Sequence, residues 1–165
     1  VKGTGNWGYA TQIKFLSPGL ELNDLGYMQT ADQVDQLNEI SYLINHPVSI
    51  FNSYDISLEL FTSWNFNGRY PGSGAHFIFG SQFINRWSTQ LNLIYHFQTL
   101  DTRILRGGYD MLIPDRFLFF GQLGSDFGKK VAFGFYYNVM KNVENRVPNM
   151  SMLLGFRCGP PIHYK

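Results

Sequence analysis

Residues 87–99 read WSTQLNLIYHFQT, and neighbouring residues differ in kind along the whole stretch. One register collects Trp87, Thr89, Leu91, Leu93, Tyr95 and Phe97, and the other collects Ser88, Gln90, Asn92, Ile94, His96 and Gln98. Successive side chains on a strand point to opposite faces, so this alternation predicts a β-strand whose two sides meet two different environments. The pattern returns in FNSYDISLELFTSW, where Tyr54, Ile56, Leu58, Leu60, Thr62 and Trp64 oppose Asp55, Ser57, Glu59, Phe61 and Ser63. Trp7, Tyr9, Ile13 and Phe15 oppose Gln12 and Lys14, and Ala75, Phe77, Phe79 and Phe83 oppose His76 and Gln82. Near the end, Val131, Phe133, Phe135, Tyr137 and Val139 oppose Gly134 and Asn138, and Met150, Met152, Leu154 and Phe156 oppose Ser151 and Arg157. Two segments are less regular. Residues 117–126 carry Leu118 and Phe120 on the polar side. TADQVDQLNEISYLI fits a helix through Val34, Leu37, Ile40 and Leu43, or a strand through Ile40, Tyr42 and Ile44, and its strand-rich surroundings favour the strand.

The links between these strands carry a second pattern. They run long (17–36), short (around His46 and Pro47), medium (65–74), short (85–86), long (100–116), short (128–130) and medium (142–149). Tight turns at one end and longer loops at the other are the construction of an up-and-down transmembrane β-barrel. Trp87 to Phe97 is ten strand steps, about 33 Å at roughly 3.3 Å per residue, and a tilt of about 45° projects it to about 23 Å. Tyr54 to Trp64 spans the same distance. An outer-membrane barrel shows an apolar band about 25 Å tall, edged by aromatic girdles whose rings stay in lipid while their polar tips reach the headgroups. Trp7, Tyr54, Trp64, Trp87, Tyr95 and Phe97 are the expected girdle.

Composition separates this barrel from its soluble counterpart. A lipocalin-type barrel uses the same alternation turned inside out, and its outer face should be rich in Lys and Glu. Here charged residues are only 15% and aromatics reach 17%, so the polar faces are mostly Ser, Gln, Asn and Gly. They suit a hydrated lumen lined by Lys14, Asp55, Glu59, His76, Gln90, Asn92, His96 and Arg157. A net charge of +1 with no Lys/Arg run excludes a nucleic-acid partner. Cys158 is the single cysteine, so neither an internal disulfide nor a cysteine metal site can form. No apolar run reaches the length of a membrane-spanning helix, a test that strands of about ten alternating residues escape. The start at Val1 suggests a removed leader or an excerpt of a longer chain.

Catalytic signals are weak. GTGNWG (3–8) has the letters of a dinucleotide-binding loop but leads into a strand, where that loop must open a helix. No nucleophile-elbow or zinc-protease motif occurs, and His46, His76, His96 and His163 lie in separate segments. A hydrolase needs His76 or His96 held against an acid such as Asp55 or Glu59, together with a nucleophile. Asp55 and Glu59 share a face but stand about 13 Å apart by the strand rise, too far for paired-carboxylate work. With Lys14 or Arg157 they set ion preference or satisfy one another. Arg103, Arg106, Gly107 and Gly108 fall in a predicted outer loop, as do the aromatics Tyr70 and Tyr109, which could stack on sugars. No cofactor and no metal is expected.

Four segments carry a resemblance: LNDLGYMQTAD (22–32), SWNFNGR (63–69), LRGGYDML (105–112) and GSDFGKKVAF (124–133). In this order they resemble the C-terminal barrel domain of unknown function of large Gram-negative outer-membrane proteins, whose N-terminal domain is similar to family-nine carbohydrate-binding modules. One departure is Tyr109 after Arg106-Gly107-Gly108, where the family tends to place proline. The resemblance implies an all-β, antiparallel transmembrane barrel, of which about eight strands lie here within a larger one. It implies an anchor and passage in the bacterial outer membrane for a surface system that handles carbohydrate or another small solute, with lipid and other envelope proteins as partners; that no catalytic motif occurs leads to the expectation of no enzymatic activity. The alternatives are a barrel enzyme with its site at the rim, and a closed eight-stranded structural or adhesive barrel, whose interior side chains would fill.

Overall fold

The computed structural model describes residues 2–19, 32–68, 72–101, 111–142 and 148–158, and all of its regular structure is β. The strands are β1 (Lys2–Thr4), β2 (Trp7–Leu16), β3 (Gln33–Ile44), β4 (Phe51–Trp64), β5 (Gly72–Phe83) and β6 (Ser88–His96). They continue as β7 (Thr99–Asp101), β8 (Met111–Ile113), β9 (Arg116–Gly124), β10 (Val131–Asn142) and β11 (Asn149–Cys158). Eight of them, 9 to 14 residues long, form one antiparallel sheet in chain order, with β1 added at one edge and the β7–β8 ribbon set apart. Soluble strands average nearer five or six residues. The antiparallel all-β sheet matches the expectation of about eight strands in chain order, while the alternative of a closed eight-stranded barrel is not what forms: β1 and β11 are free edges among the described residues, so the sheet is open.

Register turns eight separate alternations into two continuous faces. Tyr9 faces Ile40, which faces Leu58, then Phe77, Leu93, Phe119, Val139 and Met150, one apolar residue on each long strand. The ambiguous segment is β3, and pairing explains why. As a strand it places Val34, Ile40 and Tyr42 beside Trp64, Leu58 and Ile56, whereas a helix would strip both β2 and β4 of their hydrogen-bonding neighbour. Leu37 and Leu43 then fall on the polar face, beside Phe61 and Asp55.

No second layer of described residues covers either face. Among the described residues the buried apolar side chains are Val34, Ile44 and Ala132, while Tyr9, Ile40, Leu58 and Met150 of the apolar row are 42 to 60% exposed. A water-soluble domain of this size buries its apolar face against another layer, and an apolar patch of this extent marks a surface built to be covered. The links 45–50, 84–87 and 125–130 all lie at one end of the sheet; at the other end 17–32, 65–71 and 97–115 are longer, while 143–148, at six residues, only equals 45–50 and 125–130. Positive φ at Ser49 and Arg86 helps close two of the tight turns.

The link expected at 100–116 holds the β7–β8 ribbon. His96 faces Arg116 and Thr99 faces Ile113, so the β6–β9 hairpin resumes in the same register after a two-residue gap on each side. The gap has a local cause. Phe97 N–H turns toward β5, on the other side of β6, and donates to the Ser73 carbonyl at 3.0 Å. Alternation then turns the backbone groups of Gln98 toward position 114, where Pro114 has no N–H to give.

Candidate functional site

Lys14, Asp55, Glu59, His76, Gln90, Asn92 and His96 share the face opposite the apolar row. The side chain of Arg157, together with Arg103, Arg106, Gly107 and Gly108, lies outside the described residues. Acidic groups concentrate on β3 and β4: Asp35 beside Ser63, Glu39 directly opposite Glu59, and Asp55 beside Leu43. Asp35 Oδ1 accepts hydrogen bonds from Gln33 Nε2 and Ser63 Oγ, each 2.6 Å. Asp55 lies over Gly80, where a Cβ would sit 2.5 Å from its Oδ1.

At mid-height, His76 on β5 bridges to both neighbouring strands. Its Nδ1 meets Glu59 Oε2 at 2.9 Å and its Nε2 meets Asn92 Oδ1 at 3.1 Å. Glu59 is its register partner, and Asn92 stands diagonal to it beside Ile78. A protonated ring donates to both oxygens; a neutral one is satisfied when Asn92 turns its amide to donate to the bare nitrogen. With both ring nitrogens engaged in this way, no hydroxyl among the described residues bonds to His76 as a nucleophile would. His76 thus meets Glu59, a contact the sequence could not show, while Asp55 belongs to a different row.

His96 sits near the end of the sheet that carries the longer links, its ring 5.4 Å from that of Phe61. Its row continues to Arg116 and Asn142, whose buried Nε and Oδ1 have no hydrogen-bond partner among the described residues. A groove of about 150 Å³ opens here between His96, Arg116, Ser63 and the base of the ribbon at Thr99 and Ile113. Tyr95 O–H donates to Asp115 Oδ2 at 2.6 Å and ties the ribbon base to the sheet. Among the described residues, no group of three or more His, Cys, Asp and Glu converges as a metal site.

A larger groove, about 360 Å³, crosses β6, β9, β10 and β11 on the same face. Gln90 and Asn92 line it together with Phe120, Gln122, Tyr136 and Asn138. The sequence reading named the first two as lumen-lining and put Asn138 on a polar face without placing it beside them. Phe120 counted there as an irregularity in its strand, and Gln122 and Tyr136 become neighbours of Gln90 only through the register of three strands.

The expected girdle residues collect at both ends. Trp7, Tyr54 and Trp87 stand at the tight-turn end, while Trp64, Tyr95 and Phe97 stand at the other, with Trp87 and Phe97 just outside β6. At the tight-turn end Trp7 packs on Tyr42 at 4.8 Å between ring centroids, Tyr42 on Tyr54 at 6.3 Å, Tyr54 on Phe51 at 5.6 Å and Phe51 on Phe83 at 5.1 Å. Trp87 packs edge-on against Phe133 at 5.0 Å, and Tyr95 against Phe97 at 5.2 Å.

Residues 1–159 match the family model described as a domain of unknown function, DUF5916. The chain belongs to the DUF5916 family. Comparison with curated proteins and with solved structures gave no match. For this DUF5916 chain, the match takes in all eight long strands, both grooves and the His76 bridge.

Proposed function

We propose that this chain is part of the wall of an up-and-down transmembrane β-barrel in the outer membrane of a Gram-negative bacterium. There it anchors a surface system handling carbohydrate or another small solute and lines a passage for it. The observation that carries this reading is the apolar row crossing eight long strands with no layer over it among the described residues. Hydrocarbon covers such a face without requiring a second layer, and the aromatic clusters at both ends of the strands suit the two headgroup zones. The opposite face, with its amides, hydroxyls and bridged His76, suits water. The link to carbohydrate rests on the family resemblance.

Adjacent positions on β4 provide the test. In a background with Trp7, Trp64 and Trp87 replaced by Phe, Leu58→Trp and Ser57→Trp are each folded into lipid vesicles. The expected result is strong quenching of the tryptophan at position 58 by brominated acyl chains, and quenching of that at 57 by an aqueous quencher alone. Aqueous quenching at 58, with no response to brominated lipid, would overturn the membrane reading.

A further inference from the structure

The groove across β6, β9, β10 and β11 differs in chemistry from the rest of its face. Among the described residues no charged side chain lines it, whereas Lys14, Asp35, Glu39, Asp55 and Glu59 all stand on β2 to β4. Its floor is two adjacent rows. Asn92 faces Phe120, which faces Asn138, and one row away Gln90 faces Gln122, which faces Tyr136. Successive rows on one face are about 6.6 Å apart by the strand rise.

The polar groups on this floor are largely unspent. Among the described residues, the side-chain amides of Gln90 and Gln122 make no hydrogen bond to protein; Asn138 Nδ2 donates to Ser151 Oγ at 2.7 Å, leaving its carbonyl oxygen, and Asn92 Oδ1 is taken by His76, leaving its NH₂. Phe120 and Tyr136 are each 41% exposed beside them. An amide both donates and accepts, as does a hydroxyl, and carries no charge. An aromatic face is electron-rich and packs against polarised C–H groups. A charged ligand would find no opposite charge here, and an apolar one would leave the amides unpaired. The volume lies within the usual range for small-ligand clefts.

We infer that this groove binds an uncharged oligosaccharide, with Phe120 and Tyr136 stacking on sugar rings and Gln90, Gln122, Asn92 and Asn138 bonding to their hydroxyls. The inference deepens the proposed function and rests on the polar face being its hydrated side. The test folds the full chain in detergent micelles and titrates it calorimetrically with maltohexaose, cellohexaose and chitohexaose as neutral probes and hexagalacturonate as a charged one. At least one neutral probe is expected to bind, with hexagalacturonate at least tenfold weaker. Gln90→Ala/Gln122→Ala and Phe120→Ala should each weaken binding tenfold or more. Phe120→Tyr, which keeps the ring, and Gln12→Ala, remote on β2, should bind as the parent does, and circular dichroism checks that every variant retains its β-sheet. No binding of any neutral probe at millimolar concentration, equal binding of hexagalacturonate, or unchanged affinity in the groove variants would overturn the inference. The tryptophan quenching experiment reads the membrane assignment separately. Sugar binding lost in the groove variants with no lipid quenching at position 58 would leave this site standing and remove the membrane reading.

Discussion

Two glycines on the polar face show how a missing side chain makes room for a functional neighbour. At Gly74 an added Cβ would run into both the Phe61 ring and the Tyr95 backbone carbonyl. The ring lies against the bare strand and presents its edge region to His96, and the carbonyl cannot swing away. At Gly80 the obstacle is the Asp55 carboxylate, 2.5 Å from the added carbon and free to rotate. Overpacking a site that cannot yield costs about 1–3 kcal/mol, while a site that relaxes costs less. Gly74→Ala should therefore lower folding stability by about 1–3 kcal/mol, and Gly80→Ala by well under that, as read from urea unfolding midpoints in lipid vesicles. Equal losses at the two positions would mean that Phe61 is as free to move as Asp55.

At the level of elements, the legible part of the fold was what period two encodes. All eight long strands could be read, including β3, whose helical spacing through Leu37 and Leu43 dissolves once both neighbours are strands. The ribbon was not legible, because β7 and β8 have three residues each and owe their register to the hairpin beneath them. The His76 bridge and the amide groove were hidden for the same reason. Alternation assigns residues to a face but says nothing about how far one strand slides along the next, and Glu59 meets His76 only in one register. The gap below the ribbon should respond to one substitution. Pro114→Ala supplies the missing N–H opposite Gln98, so the backbone ladder should run unbroken from β6 and β9 into β7 and β8. Hydrogen exchange should then show amides 98 and 114 protected to the level of residues in β6. Rapid exchange at amide 98 and at the new amide 114 would place the cause of the gap elsewhere, at Phe97 and Asp115.

At the scale of the whole molecule, the sheet has, among the described residues, an apolar face without a core and two edges without partners. In water both are unfavourable, the first as an uncovered patch and the second as open templates for aggregation. In a bilayer the first becomes an asset, but unpaired edge groups in hydrocarbon cost several kcal/mol each, so insertion demands that the edges of β2 and β11 be met by strands. On the proposed membrane reading, the distance between the aromatic ends sets which bilayer would fit. Tyr54 to Trp64, ten steps on β4, projects to about 23 Å at barrel tilt, thinner than the roughly 30 Å hydrocarbon layer of an average bilayer, as the bacterial outer membrane is. A bilayer that is too thick must thin locally or drag Trp and Tyr below the headgroups, at fractions of a kcal/mol per Å on each strand. Summed around the wall, that penalty should be visible in folding yield. Diluted from urea into vesicles of increasing acyl-chain length, the chain should fold best in the thinnest bilayers, near 23–25 Å, and progressively less as thickness approaches about 30 Å, read from the fraction that resists added protease. A yield indifferent to thickness would mean that the aromatic ends do not sit at the two membrane surfaces.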